Sequence, residues 1–119
     1  MKRILTVLAL ILVLSGSAFG LSDKEYLSMK RGDSDFAEAD RVLTQVWKRI
    51  RDEITRPAES AFEILKEEQR EWIASGRDKS ARKYIKKGYS HTEAYTFATY
   101  DRVNELEEWE ELMFGDEDN

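Results

Sequence analysis

Apolar side chains recur at helical spacing in three long stretches of the chain, and nowhere do they alternate with the period of two that is typical of a strand. In the first stretch, at about 100° per residue, they fall within an arc of roughly 140° on one side of a helix. This pattern predicts a helix that Asp33 or Ser34 caps and that ends before Pro57, because the residue before a proline disfavours helical angles. The residues in the arc are Phe36, Ala39, Val42, Leu43, Val46, Trp47, Ile50 and Ile54.

The second stretch predicts another long helix, which Gly76 ends or bends and for which Ser60-x-x-Glu63 is a capping pattern. Two polar residues, Glu68 and Gln69, fall inside its apolar half. A buried amide or carboxylate needs a partner, because leaving it unpaired costs roughly 1–3 kcal/mol. These two side chains therefore either bond to a neighbouring helix and fix its register or line a site. The apolar half itself consists of Ala61, Phe62, Ile64, Leu65, Trp72 and Ile73.

The third stretch begins at the clearest helix-start signal of the chain, a Ser90-x-x-Glu93 capping box, and predicts a helix over residues 91–113. Its apolar half contains Ala94, Phe97, Ala98, Leu106, Trp109 and Leu112, and it also takes in the polar residues Asp101, Arg102 and Glu105. A buried guanidinium needs a counter-charge. We therefore expect Arg102 to pair with one of three carboxylates, those of Asp40, Glu68 and Glu105.

The segment before the first long helix, residues 21–35, is expected to form a short helix or a mobile arm. Ser22 and Glu25 match a capping box, which favours the helix. Residues 36–113 then form the folded domain. The acidic tail, residues 114–119, is expected to be disordered because it can bury too little apolar surface.

Between the second and third stretches the chain turns basic. Residues 77–91 contain six lysines and arginines and a single acid, Asp78. A short helix around residues 80–87 would use Tyr84 and Ile85 as its apolar contacts. A basic run of this kind is usually a solvated face, and the alternative is a patch that faces phosphate or glycan.

The first twenty residues have the features of a secretory signal peptide. Lys2 and Arg3 precede an apolar run of eleven residues, Ile4–Leu14, and Ala18 and Gly20 are the small residues of a cleavage site. The run is too short to span a bilayer as a permanent helix. We therefore expect cleavage after Gly20 and a periplasmic or secreted protein with no permanent membrane anchor. An uncleaved N-terminal anchor is the alternative.

Charge and composition indicate which classes of partner suit the exported chain. Cleavage would remove two of the 19 basic residues, which leaves 17 against 24 acidic ones and a net charge of −7 over 99 residues. An acidic domain of this size argues against nucleic-acid binding and suits a basic protein partner. The chain has no cysteine and one histidine, so we expect neither a disulfide nor a zinc site, and no cofactor.

Acidic residues are paired at helical spacing in several places, at Glu63/Glu67, Glu67/Glu71 and Glu107/Glu111. Glycoside hydrolysis needs two carboxylates on either side of a cleft, one of them with a raised pKa. These pairs instead fall on exposed helix faces beside basic residues. The sequence contains neither a nucleophile elbow nor a phosphate-binding glycine loop, so we do not expect an enzyme.

Three short motifs follow one another along the chain, and their thirteen side chains are named the motif residues below. The first motif consists of Asp40, Leu43 and Trp47, the second of Leu65, Gln69, Arg70, Trp72, Arg77 and Asp78, and the third of Thr99, Arg102, Glu105 and Leu106. In this order they resemble the motifs of an extracytoplasmic helical domain family named for its LprI-type lysozyme inhibitor member. The resemblance covers residues 36–112, nearly all of the chain after the signal peptide.

The resemblance implies an all-α domain, of bacterial type, that binds a lysozyme. Thr44 and Trp47 stand where the family has asparagine and tyrosine, and Arg77 follows Trp72 one residue later than in the family spacing. The cysteine pair that many members carry is missing, which the fold tolerates but a rigidly held binding loop would not. Because the motif residues coincide with positions inside the apolar arcs, we expect them to be structural.

These patterns predict an all-α fold: a small helical bundle with two long antiparallel helices, a short helix and a long C-terminal helix. The expected function is inhibition of a basic lysozyme through protein–protein binding. The contacts would come from the acidic Glu105–Asp118 end and from the exposed face around residues 76–91. The alternative is an envelope interaction module that has another partner and no effect on lysozyme. A third hypothesis, an enzyme that acts on cell-wall glycan, has little support from the dispersed carboxylates.

Overall fold

A computed structural model of the chain describes residues 21–115, and these residues form an all-α fold without strands. The predicted fold class is therefore confirmed. The predicted signal peptide, residues 1–20, and residues 116–119 of the predicted acidic tail lie outside the described part of the chain. Among the helices of residues 21–115, none combines the length with the apolar composition that a bilayer crossing requires.

The helices follow one another with short connections. We label them α1 to α5 in chain order, and their bounds are Asp23–Gly32, Ser34–Glu53, Glu59–Glu71, Arg77–Lys86 and His91–Phe114. A short 3₁₀ turn, Arg56–Ala58, leads into α3, and a π-helical turn, Trp72–Gly76, joins α3 to α4 without a break. Residues 21–35 were expected to form either a short helix or a mobile arm, and they contain a helix, α1.

The core consists of two apolar clusters that share α5. One cluster joins α2, α3 and the π turn to the second half of α5, and it contains the fully buried side chains of Ile50 and Leu106. The other joins Phe36 at the start of α2 to α4 and to the first half of α5. Ala81 and Ala98 are completely buried there, and such small side chains allow two helices to pack closely. Because α2 and α4 both lie against α5, the C-terminal helix organises the bundle.

Three apolar residues that the helical pattern assigned to the core are exposed. Ile64 is 63% exposed, Ile85 40% and Leu112 83%. Each lies on the apolar side of its helix at a point that no neighbouring helix covers. These three predictions are wrong, because periodicity identifies the side of a helix that faces a neighbour but not where that neighbour ends.

Two polar assignments in the second stretch also need correction. Gln69 is buried, whereas Glu68 is exposed, because one residue along a helix rotates the side chain by about 100°. Ser60 does not cap α3. The 3₁₀ turn brings the chain into the helix at Glu59, so the cap position falls on Ala58, which makes no side-chain bond.

The predicted starts of α1, α2 and α5 are confirmed, whereas the helix expected around residues 80–87 begins earlier, at Arg77. Ser22 and Glu25 form a capping box at α1, in which each side chain accepts a hydrogen bond from the backbone N–H of the other residue. Ser90 and Glu93 do the same at α5. Asp33, rather than the residue after it, caps α2 through its carboxylate.

We expect Ser90→Ala to lower the free energy of unfolding by about 1 kcal/mol, because the substitution removes the acceptor of the Glu93 N–H. Ser60→Ala is the matched control. It should change the free energy by less than about 0.5 kcal/mol, because Ser60 is exposed inside α3 and is not its cap. Urea unfolding of both variants measures the difference, and equal losses would contradict these helix starts.

Candidate functional site

Seven of the thirteen motif residues surround one cavity of about 270 Å³, which is named the motif cavity. They come from α2, α3, the π turn and α4, and they are Asp40, Leu43, Trp47, Gln69, Arg70, Trp72 and Arg77. Asp23 and Tyr26 of α1 line another part of it, and Thr44, Lys66 and Ile73 complete the lining. More than half of the motif residues therefore border an open space, which a purely structural role does not require.

The π turn places Trp72 and Arg77 on the same cavity. The Arg77 N–H donates to the Trp72 carbonyl five residues earlier, in place of the four-residue bond of an α-helix. In an α-helix, two residues five apart point about 140° away from each other. The wider turn brings them together, and the Arg77 guanidinium carbon lies 5.6 Å from the Trp72 ring centre. Gly76, which was expected to end or bend the helix, is the last residue of this turn, and the helix continues.

Arg77 is a buried cation without an ionic partner in the described part of the chain. Only 7% of its surface is exposed, and its Nε has no hydrogen-bond partner there. None of the ion pairs within residues 21–115 includes it. Two aromatic rings hold it instead, because its guanidinium carbon lies 5.6 Å from the ring centres of both Tyr26 and Trp72.

Asp40, the acidic motif residue on the cavity wall, is already engaged by other groups. Its Oδ1 accepts the Tyr26 hydroxyl at 2.6 Å, and its Oδ2 lies 3.3 Å from the Lys30 ammonium. Burial of Tyr26 and its bond to Asp40 raise the pKa of the Tyr26 hydroxyl above its usual value. This bond ties α1 to α2 beside the cavity.

Asp78 is occupied in a similar way. Its Oδ1 accepts the Tyr95 hydroxyl at 2.6 Å and the Leu21 N–H at 3.2 Å. Burial of Tyr95 and its bond to Asp78 raise the pKa of the Tyr95 hydroxyl. Asp78 thereby joins α4 to α5 and does not line the motif cavity. Asp40 bonds through both carboxylate oxygens and Asp78 through Oδ1, and neither forms an ion pair with Arg77.

Arg102 has the inward position that the sequence predicts, with 8% of its surface exposed. Its Nε donates to Gln69 Oε1 at 2.8 Å, and its Nη1 donates to Glu105 Oε1 at 2.9 Å. Of the three expected carboxylate partners, Glu105 is the one found, and Asp40 and Glu68 are not. Gln69 combines both roles considered for it, because it bonds to a neighbouring helix and also lines the motif cavity.

The remaining motif residues outside the cavity support the fold. Leu65 and Leu106 are buried in the core cluster around Ile50. The Thr99 hydroxyl donates to the Tyr95 carbonyl one turn earlier at 2.7 Å. These side chains hold α3 and α5 in place behind the cavity.

Sequence reasoning missed two lining residues, Asp23 and Tyr26, because α1 was placed outside the folded domain. The capping box of Ser22 and Glu25 indicated that this segment is helical, but it gives no information about where the helix docks. Lys66 was also missed, since a lysine on the polar half of α3 is normally only solvated.

Two charged surfaces lie outside the cavity. The acidic end of α5 consists of Glu105, Glu107, Glu108, Glu110 and Glu111, and the exposed Leu112 follows it. Arg49 of α2 donates two hydrogen bonds to Glu110, at 2.6 and 2.7 Å, which lower the pKa of the Glu110 carboxyl. The other four carboxylates are exposed to solvent. Glu105 pairs with Arg102 and Glu107 lies 3.8 Å from Arg49, so Glu108 and Glu111 carry the negative charge that has no ion pair within residues 21–115.

The basic run is a solvated face in all but one position. Its exposed members are Lys79, Arg82, Lys83, Lys86 and Lys87, and Arg77 alone is buried. Within residues 21–115, no three histidine or acidic side chains come together in a way that could hold a metal ion. The charged group with an unusual environment is therefore Arg77, inside the motif cavity.

Comparison of the chain with family models, with curated proteins and with solved structures finds no match. The resemblance to the LprI-type domain family accordingly rests on the motif residues and their order along the chain.

Proposed function

We propose that the chain is an exported protein that binds and inhibits a basic lysozyme-type enzyme and has no catalytic activity of its own. The observation that carries this proposal is the acidic end of α5, where four of the five carboxylates are exposed and an exposed leucine follows. The resemblance of the motif residues to the LprI-type family supports the choice of enzyme class.

Such a surface suits a basic partner for two physical reasons. Opposite charges on two proteins accelerate their encounter, and this acceleration weakens as salt screens the charges. Protein interfaces also combine an apolar centre with a polar rim. Leu112, 83% exposed beside Glu108 and Glu111, supplies an apolar group that burial against a partner would stabilise.

The test is turnover of a peptidoglycan substrate by lysozymes of the c, g and i types, with and without the purified protein, at two salt concentrations. We expect inhibition of at least one type, at a fixed stoichiometry and weaker at the higher salt concentration. No inhibition of any type would refute the proposal.

A pair of charge variants tests where the enzyme binds. Glu108→Gln with Glu111→Gln should weaken inhibition by about tenfold, as expected for the loss of favourable interface charges. Asp35→Asn with Glu71→Gln removes the same charge from exposed positions at the start of α2 and the end of α3 and should leave inhibition unchanged. Equal effects of the two pairs would show that net charge matters and that the acidic end of α5 is not the contact.

The second candidate is an envelope interaction module with no effect on lysozyme, and the motif cavity favours it. The cavity contains a buried, unpaired cation, which a basic enzyme is poorly suited to meet. Its chemistry suits an anionic group instead.

A further inference from the structure

We propose that the motif cavity binds a carboxylate carried on a short apolar or aromatic body, and that Arg77 holds the carboxylate. This inference rests on the second proposed function, binding of a partner other than lysozyme. It stands whether or not the chain inhibits an enzyme.

Arg77 carries a buried positive charge. Ionised groups that are more than nine-tenths buried are normally paired, because an isolated charge is poorly solvated by protein. Arg77 is 7% exposed, and no carboxylate of residues 21–115 forms an ion pair with it. Its guanidinium carbon lies 5.6 Å from the ring centres of both Tyr26 and Trp72, which do not neutralise its charge. An anion in the cavity would supply the missing counter-charge.

Arg70 and Lys66 add two further basic side chains to the lining of the cavity. Arg70 has a buried Nε with no partner, while its Nη1 pairs with Glu67. Lys66 lies beside it, with its ammonium 2.6 Å from Glu63. Arg70 and Arg77 therefore bring two guanidinium groups to one cavity, and a guanidinium matches the geometry of a carboxylate.

Two carboxylates also line the cavity, and their effect on an incoming anion is limited. Asp40 has one oxygen bonded to the Tyr26 hydroxyl and the other paired with Lys30. Asp23 lies on the exposed side, where water screens its charge. The two lining carboxylates are therefore either paired with a cation or solvated. Asp78, which follows Arg77 in the chain, does not line the cavity and bonds to Tyr95 and Leu21 through Oδ1.

The volume and the apolar lining of the cavity indicate what kind of group carries the carboxylate. Trp47, Trp72 and Tyr26 supply aromatic surface, and Leu43 and Ile73 supply aliphatic surface. The volume of about 270 Å³ lies just below the range of roughly 300–1,000 Å³ for small-molecule sites. Such a space fits a group the size of one amino-acid side chain. Two sources share this chemistry: a free organic acid, and the C-terminal residue of a peptide chain.

Isothermal titration calorimetry of the purified protein tests the proposal without any enzyme, so a negative lysozyme assay does not affect its outcome. The probes are 3-phenylpropionate and its neutral analogue 3-phenylpropanamide, and a short peptide that ends in phenylalanine as the free acid and as the amide. We expect saturable one-to-one binding of at least one acid and at least tenfold weaker binding of the matching amide. Binding of the free acid identifies a small-molecule source, and binding of the peptide acid alone identifies a chain terminus.

Variants locate the site. Arg77→Gln should weaken binding of the acid by tenfold or more and leave binding of the amide unchanged. Thr44→Phe fills the cavity from its exposed rim without removing a core residue and should abolish binding, whereas Gln45→Phe, the exposed neighbour that does not line the cavity, should preserve it. If Arg77→Gln does not fold, the Thr44 and Gln45 pair and the acid and amide pair still decide the question. Equal binding of acid and amide, no binding of any acid, or binding that survives Thr44→Phe would overturn the proposal.

Discussion

Replacing Leu106 by alanine should lower the free energy of unfolding by about 3–5 kcal/mol, whereas the same replacement at Leu112 should change it by less than about 0.5 kcal/mol. Both leucines lie on the apolar side of α5, six residues apart. Leu106 is completely buried in the cluster that joins α5 to α2 and α3, and Leu112 is 83% exposed. Truncating Leu106 leaves a cavity in a close-packed core, and truncating Leu112 removes only solvated surface.

Urea unfolding followed by tryptophan fluorescence measures both changes. The midpoint should fall for Leu106→Ala at an unchanged slope, which indicates lost stability without a change in the surface exposed on unfolding. Similar midpoints for the two variants would contradict the finding that neighbouring helices bury α5 at Leu106 but not at Leu112.

Replacing Gln69 by leucine should cost about 2–4 kcal/mol, even though leucine is the more apolar residue. Gln69 Oε1 accepts the hydrogen bond of Arg102 Nε at 2.8 Å, and Arg102 is 8% exposed. The substitution leaves a buried guanidinium donor without an acceptor. Removing one partner of a buried polar pair costs more free energy than the hydrogen bond itself contributes, because the remaining group stays desolvated. A second donor of the same group, Nη2, already has no partner in the described part of the chain.

A double-mutant cycle separates this penalty from the loss of packing. Arg102→Met combined with Gln69→Leu removes both partners, so the double variant should recover at least about 1 kcal/mol relative to Gln69→Leu alone. A double variant that is as unstable as the sum of the two single variants would show that the two side chains do not interact.

Much of the fold follows from local sequence patterns. Capping boxes at Ser22 and Ser90 and an aspartate cap at residue 33 set three helix starts, and each of these is a contact over three residues that the sequence displays directly. The inward positions of Gln69 and Arg102 also follow from helical periodicity. What the pattern leaves open is which partner they meet, because the two residues lie 33 positions apart and their contact depends on how α3 packs against α5.

The exposed residues show the limit of the same reasoning. Periodicity placed Ile64 and Leu112 on the inner side of their helices, but burial also requires a neighbour of sufficient length. The lengths of α1 and α4 and the position of each helix along α5 are tertiary properties. The residue pattern within α3 or α5 gives no information about these lengths and positions.

The motif cavity was not predicted, because two of its parts are not local. The docking of Tyr26 against Asp40 brings in α1, and the π turn changes the direction of Arg77 relative to Trp72. The resemblance noted for the second motif would place Arg77 one residue nearer to Trp72, and the five-residue bond of the π turn takes up one additional residue.

We infer that the motif cavity binds a carboxylate, and an NMR titration tests this inference most directly. Each of the chain's three tryptophans gives one indole N–H signal in a proton–nitrogen spectrum; Trp47 and Trp72 line the cavity, and Trp109 does not. During addition of 3-phenylpropionate, or of the phenylalanine-terminated peptide acid, we expect the Trp47 and Trp72 signals to shift together and saturate while the Trp109 signal stays fixed. Signals of Trp47 and Trp72 that do not move with either acid, or that move no more than the signal of Trp109, would contradict it.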